Sequence, residues 1–539
     1  MLELTRKMVR IPSINTTAGE AAIGEFLEGY FRELPYFQQH PEYLITQELH
    51  EDRLHRRNVI ALLRGEKDDN PKTVILHGHT DTVGLEGYGA LEDVACNPDR
   101  LMEAMKFMEL PDAVRADLES GAYLFGRGSC DMKSGDAVFM VLIKRLSEHP
   151  EELSGNLIIS LNPVEENLHT GIIEALPVLA KLQEQYGLQY VLAMNNDFTS
   201  PLFEGDEAKT IYTGIGGKVL PCFYIHGKET HVGQCFEGFD ASMFAAELVH
   251  RIHLSGKFSD TYNGETTNPP SVLKIKDLKT WYNVQTAKEA LVYFNYFVHN
   301  ASMEEITKGL LDEAKEVFDD ILTKIHTEFQ NYCNVNHQNY SEYNYEKRVL
   351  TYDALYGMAS KEAGFSAEKI RDIVTGEQMR GIDRREIPIE IIRYLLKLLK
   401  FTGPTVVLYY AAPFCPHSTV KSDQQQLLDL LTKVIGEIGA ETDTTFRLMS
   451  FYPSLSDSSY LRIDDSEASM DMLLRNFPEV ELLYPVPIEA IRKVNVPAIN
   501  VGCYGKDAHK WTERVNIPYT FGVLPELELR LIHGVLETK

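Results

Sequence analysis

The chain is short of positive charge and has no long apolar run, no closely paired cysteines and no nucleotide-type glycine loop. Lysine and arginine number 53 against 79 aspartates and glutamates, a net charge of −26, so phosphate backbones and anionic membrane surfaces are repelled rather than recruited. That argues against a nucleic-acid partner. No stretch approaches the roughly 18 apolar residues of a membrane span, and Met1-Leu2-Glu3-Leu4-Thr5-Arg6-Lys7 leads into no apolar export segment. The expectation is a soluble, unexported protein that binds no membrane. The seven cysteines (Cys96, Cys130, Cys222, Cys235, Cys333, Cys415 and Cys503) are odd in number and form no CxxC pair, which argues against a disulfide framework and for a reducing cytoplasm. Neither G-x-G-x-x-G nor a Walker pattern occurs at the glycine-rich stretches 126–128 and 214–217, which argues against nucleotide binding.

What is present is an ordinary globular composition, 44% hydrophobic and 24% charged over 539 residues, enough for two or three domains of about 100 to 200 residues each. Thr17 and Glu20 are spaced as a T-x-x-E capping box, and Ile23, Phe26, Leu27, Tyr30 and Phe31 follow at helical spacing until Pro35. Apolar runs at Val74-Ile75-Leu76, Leu157-Ile158-Ile159, Tyr190-Val191-Leu192-Ala193 and Ile499-Asn500-Val501 are separated by helical stretches such as 137–146 and 171–182. Such runs predict strands buried on both faces of an α/β sheet. Between about Ile211 and Ser418 the pattern changes, with strands predicted over 219–225, 290–294 and 405–410 and helices over 243–252 and 306–325. The expected fold is α/β: a doubly wound mixed-sheet domain made of residues 1–210 and 421–539, interrupted by an inserted α+β domain at 211–420 with a helical elaboration at about 327–400. A last helix is predicted from Glu526 to Leu536.

Acidic and histidine islands lie in or near the ends of these runs, where open α/β sheets place their ligands. They are His79-Thr80-Asp81, Asp131, Glu165-Glu166, Asp197 and His509. Imidazoles and carboxylates are what a pair of divalent metal ions takes as ligands, with one carboxylate left to handle protons. The period of a strand puts His79 and Asp81 on one side, so that Asp81 can hydrogen-bond the imidazole. A carboxylate at position 131 can bridge two cations, although an aspartate opening a helix also reads as an N-cap. Adjacent carboxylates at 165 and 166 repel each other unless cations compensate them, and they point in different directions. Cys130, beside Asp131, reads as a small buried side chain and His77 as a residue behind the ligands. Taken together the islands point to a hydrolase.

In chain order, His77-Gly78-His79-Thr80-Asp81-Thr82-Val83, Gly126-Arg127-Gly128-Ser129-Cys130-Asp131-Met132-Lys133, Glu165-Glu166, Asp197-Phe198-Thr199 and Ala508-His509 with Glu513 resemble the motifs of the M20 family of metallopeptidases and aminoacylases. The resemblance implies one metal on His79, Asp131 and Asp197, and a second on Asp131, Glu166 and His509, with Glu165 as general base and Asp81 orienting His79. Zinc is the implied ion, with cobalt or manganese as alternatives, because imidazole and carboxylate ligands suit all three. Gly227-Lys228-Glu229-Thr230-His231-Val232-Gly233 resembles the family element whose histidine contacts substrate, and Asn283 resembles a second substrate-side position. The inserted domain is then of the lid or dimerisation type, which leaves open a homodimer.

The implied reaction is hydrolysis of an amide or peptide bond in a small amino-acid derivative or short peptide. The chain's length and enlarged middle domain resemble the arginine-utilisation branch of the family, which implies a place in arginine catabolism. Release of ammonia from a carbamoyl or ureido compound is one alternative. A binding or regulatory protein that keeps the architecture without catalysis is another. One departure stands out: Phe294-Asn295-Tyr296-Phe297 lacks the arginine with which relatives clamp a substrate carboxylate. Arg380, Arg384 and Arg385 are either substitutes for it or a solvated basic face.

Overall fold

The computed structural model describes residues 1–421 and 424–538. The chain divides into two compact units, one of Met1–Gly216, Pro416–Asp464 and Pro487–Lys539, the other of Gly217–Cys415 and Asp465–Val486. The segment 465–486, which the sequence groups with the C-terminal part, thus packs in the second unit, through the helices Glu467–Arg475 and Val480–Leu483.

The first unit is built on an eight-stranded mixed sheet in the order Leu44–Glu48, Arg57–Arg64, Asn156–Asn162, Lys72–His79, Gln189–Asn195, Ala498–Asn500, Lys209–Tyr212, Phe446–Met449. The run from Asn156–Asn162 to Ala498–Asn500 is parallel, and the four apolar runs of the sequence fall on it, the last extending one residue past the strand end to Val501. These strands are buried on both faces. Val74, Leu76, Leu157, Ile159, Leu161, Leu192 and Met194 join one core with the helices Gly19–Arg32, Lys133–Ser147 and Leu524–Glu537. Alternation turns Ile75 and Ile158 to the other face, where the helix Thr170–Tyr186 packs on strands Arg57–Arg64 and Asn156–Asn162. Helices on both faces of a largely parallel sheet are the α/β architecture.

The second unit is α+β. Its sheet runs Ser271–Asp277, Glu289–Val298, Pro221–His226, Thr405–Tyr410, Arg348–Thr351, with Gly217–Val219 also pairing Glu289–Val298. All pairs are antiparallel except the last strand, which runs parallel to Thr405–Tyr410. The helices Tyr352–Ala359, Ala367–Met379 and Ile387–Leu398 cover one face through a core that includes Leu355, Ile370, Val374, Ile391 and Leu395.

Two local expectations are corrected, and one strand has no counterpart in the sequence pattern. The Thr17–Glu20 box does not form: the helix begins at Gly19 with no side-chain cap, because the Glu20 carboxylate, buried, accepts from Thr16 N at 2.6 Å and pairs with Arg56. The strand predicted over 219–225 is interrupted at Leu220. The strand Phe446–Met449 has no buried residue, so its sequence carries no apolar run to betray it. Among the described residues no helix is long and apolar enough to cross a membrane.

Candidate metal centre

The parallel strands deliver their C-terminal ends to one edge of the sheet, and the histidine and acidic islands ride on those ends. His79 ends the strand Lys72–His79, Glu165 and Glu166 lie three and four residues beyond Asn162, and Asp197 lies two beyond Asn195. Asp131 precedes the helix Lys133–Ser147 but does not cap it: Met132 is the N-cap residue and no side chain bonds the first turn. Its carboxylate is turned elsewhere. One oxygen, Oδ1, lies 2.9 Å from His79 Nε2, and the other, Oδ2, lies 3.0 Å from His509 Nε2. The same His509 nitrogen is 3.1 Å from Glu166 Oε1.

Two sets of ligand-type atoms share Asp131. His79, Asp131 and Asp197 offer atoms all within 4.8 Å of one another, and so do Asp131, Glu166 and His509; His79, Glu165 and Glu166 form a third such set. All of these residues except His509 are buried or nearly so. The sequence names every member of these sets. Asp81 meets His79 through its backbone. The His79 ring nitrogen Nδ1 is 3.1 Å from the backbone oxygen of Asp81 and 3.7 Å from its carboxylate, too far for a hydrogen bond to the latter. The bond to the backbone carbonyl makes Nδ1 the protonated nitrogen and leaves the Nε2 lone pair for a cation. The Asp81 carboxylate instead accepts the backbone N–H groups of Glu165 (3.0 Å) and Glu166 (3.2 Å) and the Asn15 amide (2.8 Å), and so anchors the double glutamate.

The glycine-rich turn before Asp131 is tied to the His509 segment. Arg127 forms a buried ion pair with Glu513 and donates to His509 O at 3.1 Å, while Glu513 Oε1 accepts from the backbone N–H of Cys130 and Asp131 at 3.1 and 3.3 Å. Asp197 is seated by a close approach: a Cβ on Gly502 would lie 1.7 Å from the Asp197 carbonyl oxygen, so only glycine fits there. Cys130 is buried, its backbone oxygen accepts from Cys503 Sγ at 3.0 Å, and burial pushes its thiol well above the usual range. It is a packing residue and belongs to none of the ligand sets.

The electrostatics fit a cation site. Burial, then the neighbouring Asp131, pushes Asp197 up to about 8. Burial, then Asp131, also raises Glu166, and burial raises Glu165 well above the carboxylate range, with His79 and His169 opposing and Glu166 and Asp457 adding. Asp131 goes the other way: although burial opposes it, hydrogen bonds from His509 and His79 hold it low. Five acid side chains (Asp81, Asp131, Glu165, Glu166 and Asp197) thus gather around two imidazoles, more negative charge than His79 and His509 can balance. Divalent cations are what such a donor set accommodates.

A pH dependence follows. A carboxyl raised in the fold keeps its proton where the unfolded chain has lost it, so the metal-free fold loses this contribution to stability as pH rises from about 4 towards about 8. His509, raised to about 11 by Asp131 and Glu166, adds a loss of the same sign at higher pH. Metal must displace those protons. Zinc is therefore expected to raise the melting temperature more at pH 8 than at pH 5.5, with proton release measurable by calorimetry in buffers of differing ionisation enthalpy; an equal rise at both pH values would contradict this.

The substrate-side candidates lie in the second unit, on neighbouring loops. His231 Nδ1 accepts from Gly233 N at 3.0 Å, and Asn283 exchanges hydrogen bonds with Gln285, which forms a β-bridge with His231. Arg380 pairs with Glu377 and Arg385 with Asp383, while Arg384 donates to Leu483 O. Each of the three arginines has a local partner.

The model of peptidase family M20/M25/M40 matches residues 75–470, the span that carries His79, Asp131, Glu165, Glu166 and Asp197. The chain belongs to this family. M20 proteins are hydrolases, and this chain is similar along its length to Protein RocB of Bacillus subtilis, with 36% identity over 97% of this chain and 93% of the relative. It is similar also to the B. subtilis protein YqjN, with 34% identity over 100% and 96%. Aminopeptidase PepT from Bacillus cereus shares the fold with a TM-score of 0.54 at 13% identity, covering 99% of this chain and 97% of that one.

Proposed function

We propose that this M20 protein is a two-metal amidohydrolase that cleaves an amide or peptide bond in a small amino-acid derivative, with a place in arginine catabolism. One ion is assigned to His79, Asp131 and Asp197, the other to Asp131, Glu166 and His509. The observation that carries the reading is the division of the two Asp131 oxygens between His79 and His509, the arrangement of a bridging carboxylate. Bound there, a pair of divalent cations, zinc or else cobalt or manganese, supplies an activated water and polarises the amide carbonyl.

The chain's own residues do the rest. Glu165 belongs to neither of the two assigned ligand sets, and its raised pKa suits a group that takes a proton and delivers it to the leaving nitrogen. Asp81 holds the peptide N–H groups of Glu165 and Glu166, so that the two glutamates keep separate directions and separate roles. The backbone carbonyl of Asp81 sets the His79 tautomer. His231 and Asn283 are the residues we assign to polar groups of the substrate. The amide class is supported by the names of other relatives, a carboxypeptidase from Pseudomonas and a succinyl-diaminopimelate desuccinylase from Thiobacillus denitrificans, each similar to about half of this chain.

The test is a screen of N-acylated, N-carbamoylated and dipeptide derivatives of arginine and ornithine with zinc, cobalt or manganese added back. Release of a free amino acid from an acyl or dipeptide substrate is the expected result. Ammonia release from the carbamoyl compounds alone would replace the amide reading. A protein that binds none of the ions, with no gain in melting temperature, would overturn the metal centre.

A further inference from the structure

A short polar turn far along the chain reaches three of the segments that carry the metal-type residues. It comprises Ser456 and the 3-10 turn Asp457–Leu461 that Ser456 caps. Ser456 Oγ accepts from Asn195 Nδ2 at 2.7 Å, two residues before Asp197. Ser458 Oγ lies 2.8 Å from Nε2 of His77, two residues before His79. Asp457 Oδ1 lies 2.9 Å from Nδ1 of His169, and that same nitrogen is 4.0 Å from Oε1 of Glu165. His169 and Asp457 are 1% and 2% exposed, and the imidazole lies against Tyr460 of the same turn, ring centres 5.3 Å apart.

The placement of His169 is itself specific. Its backbone is left-handed, φ +55°, which few non-glycine residues adopt, and its N–H closes onto Val164 O at 2.8 Å. The loop 164–169, which carries both glutamates, is thereby pinned at its two ends. Its middle is pinned by Asp81 through the backbone N–H groups of Glu165 and Glu166. None of those bonds fixes the Glu165 side chain, which has three rotatable bonds. The Asp457-held imidazole stands beside it, Nδ1 4.0 Å from Glu165 Oε1.

We propose that Asp457 and His169 are positioning residues for Glu165: Asp457 fixes the imidazole, and the imidazole confines the glutamate carboxyl to the rotamer that faces His79 and Glu166. This rests on the reading of Glu165 as the base. At 4.0 Å the His169–Glu165 contact is longer than a hydrogen bond, and a shift of about 1 Å lets the Glu165 carboxyl share the single Nδ1–H with Asp457 as a three-centre bond, the kind of tightening that accompanies substrate binding. Positioning matters on this scale, since misplacing a catalytic group by about 1 Å costs about 100-fold in rate. A purely structural His–Asp pair would instead hold the turn against the helix Thr170–Tyr186 and leave Glu165 unaffected.

The test is a double-mutant cycle on the fully metallated protein, using the substrate found by the screen. His169→Phe is expected to lower kcat by about 10- to 100-fold, with KM and metal content unchanged. His169→Asn places an amide N–H where Nδ1 lies and is expected to recover much of that loss. In the Glu165→Gln background, His169→Phe is expected to cost nothing further, because its effect runs through Glu165. Full additivity in that background, an unchanged kcat in His169→Phe, or a loss of kcat that tracks lost metal would each overturn the positioning role. If Glu165→Gln alone retains full turnover, the base assignment fails instead, which separates the two outcomes. Asp457→Asn carries the same cycle if His169→Phe does not fold, and its crystal structure gives a readout that needs no substrate: Glu165 is expected in a second rotamer, and an unmoved Glu165 overturns the proposal.

Discussion

Glu165→Gln is expected to lower turnover by about 100- to 10,000-fold, the usual worth of a positioned general base, while the protein keeps its full metal content. Glutamine has the same shape but no basic oxygen, so it cannot accept a proton from water or pass one to a leaving amine. Little else should change. The backbone N–H of residue 165 still reaches the Asp81 carboxylate. Burial raises the wild-type carboxyl well above the carboxylate range, so a neutral isostere relieves the desolvation of a buried charge rather than adding to it. Elemental analysis beside steady-state kinetics checks both halves of the expectation. A variant with wild-type kcat removes Glu165 from the mechanism; one that loses metal along with turnover makes it a ligand instead.

Asp131→Ala is expected to abolish both metal binding and activity. Both assigned ligand sets share this residue, and no other residue belongs to both. If the wild type takes up zinc as proposed, free zinc at 100 times its dissociation constant stabilises the fold by about 2.7 kcal/mol per site; the variant should show no such gain. Its metal-free fold should survive. Asp131 is one of several carboxylates that raise the two histidines, with Asp81 and Glu165 acting on His79 and Glu166 on His509, so its loss leaves each imidazole an acidic neighbour. Thermal unfolding with and without zinc, together with metal analysis, decides the matter. Retention of two ions per chain would show that Asp131 does not bridge, and retention of one would confine it to a single site.

The parts of the fold legible in the sequence are those whose burial is written locally. The strands Lys72–His79, Asn156–Asn162 and Gln189–Asn195 are buried on both faces, so their residues are apolar whichever way they point, and the run is visible without knowing its neighbours. The strand Phe446–Met449 is only partly buried and carries no such mark. Glu20 shows the opposite failure. Its spacing from Thr17 satisfies a capping rule, but an arginine 36 residues away competes for the same carboxylate and takes it.

The candidate site divides in the same way. His79, Asp131, Glu165, Glu166, Asp197 and His509 stand out in the sequence because carboxylates and imidazoles at the ends of apolar runs need a reason to be there. Ser456, Asp457, Ser458 and His169 do not stand out. Short polar residues in a turn are ordinary loop chemistry, and nothing in their spacing says that they reach Asn195, His77 and the neighbourhood of Glu165.

By itself, then, the sequence determined the α/β class, the membership of peptidase family M20/M25/M40 and the kinds of side chain available for chemistry, because side-chain period and apolar runs record burial residue by residue. Only the tertiary structure decided which oxygen of Asp131 meets which histidine, that the Asp81 carboxylate accepts the backbone N–H groups of both glutamates, and that the turn at 456–461 reaches Asn195, His77 and His169. Those are pairings between segments tens to hundreds of residues apart, set by how strands order and helices pack, and the chemistry of a residue does not carry the address of its partner.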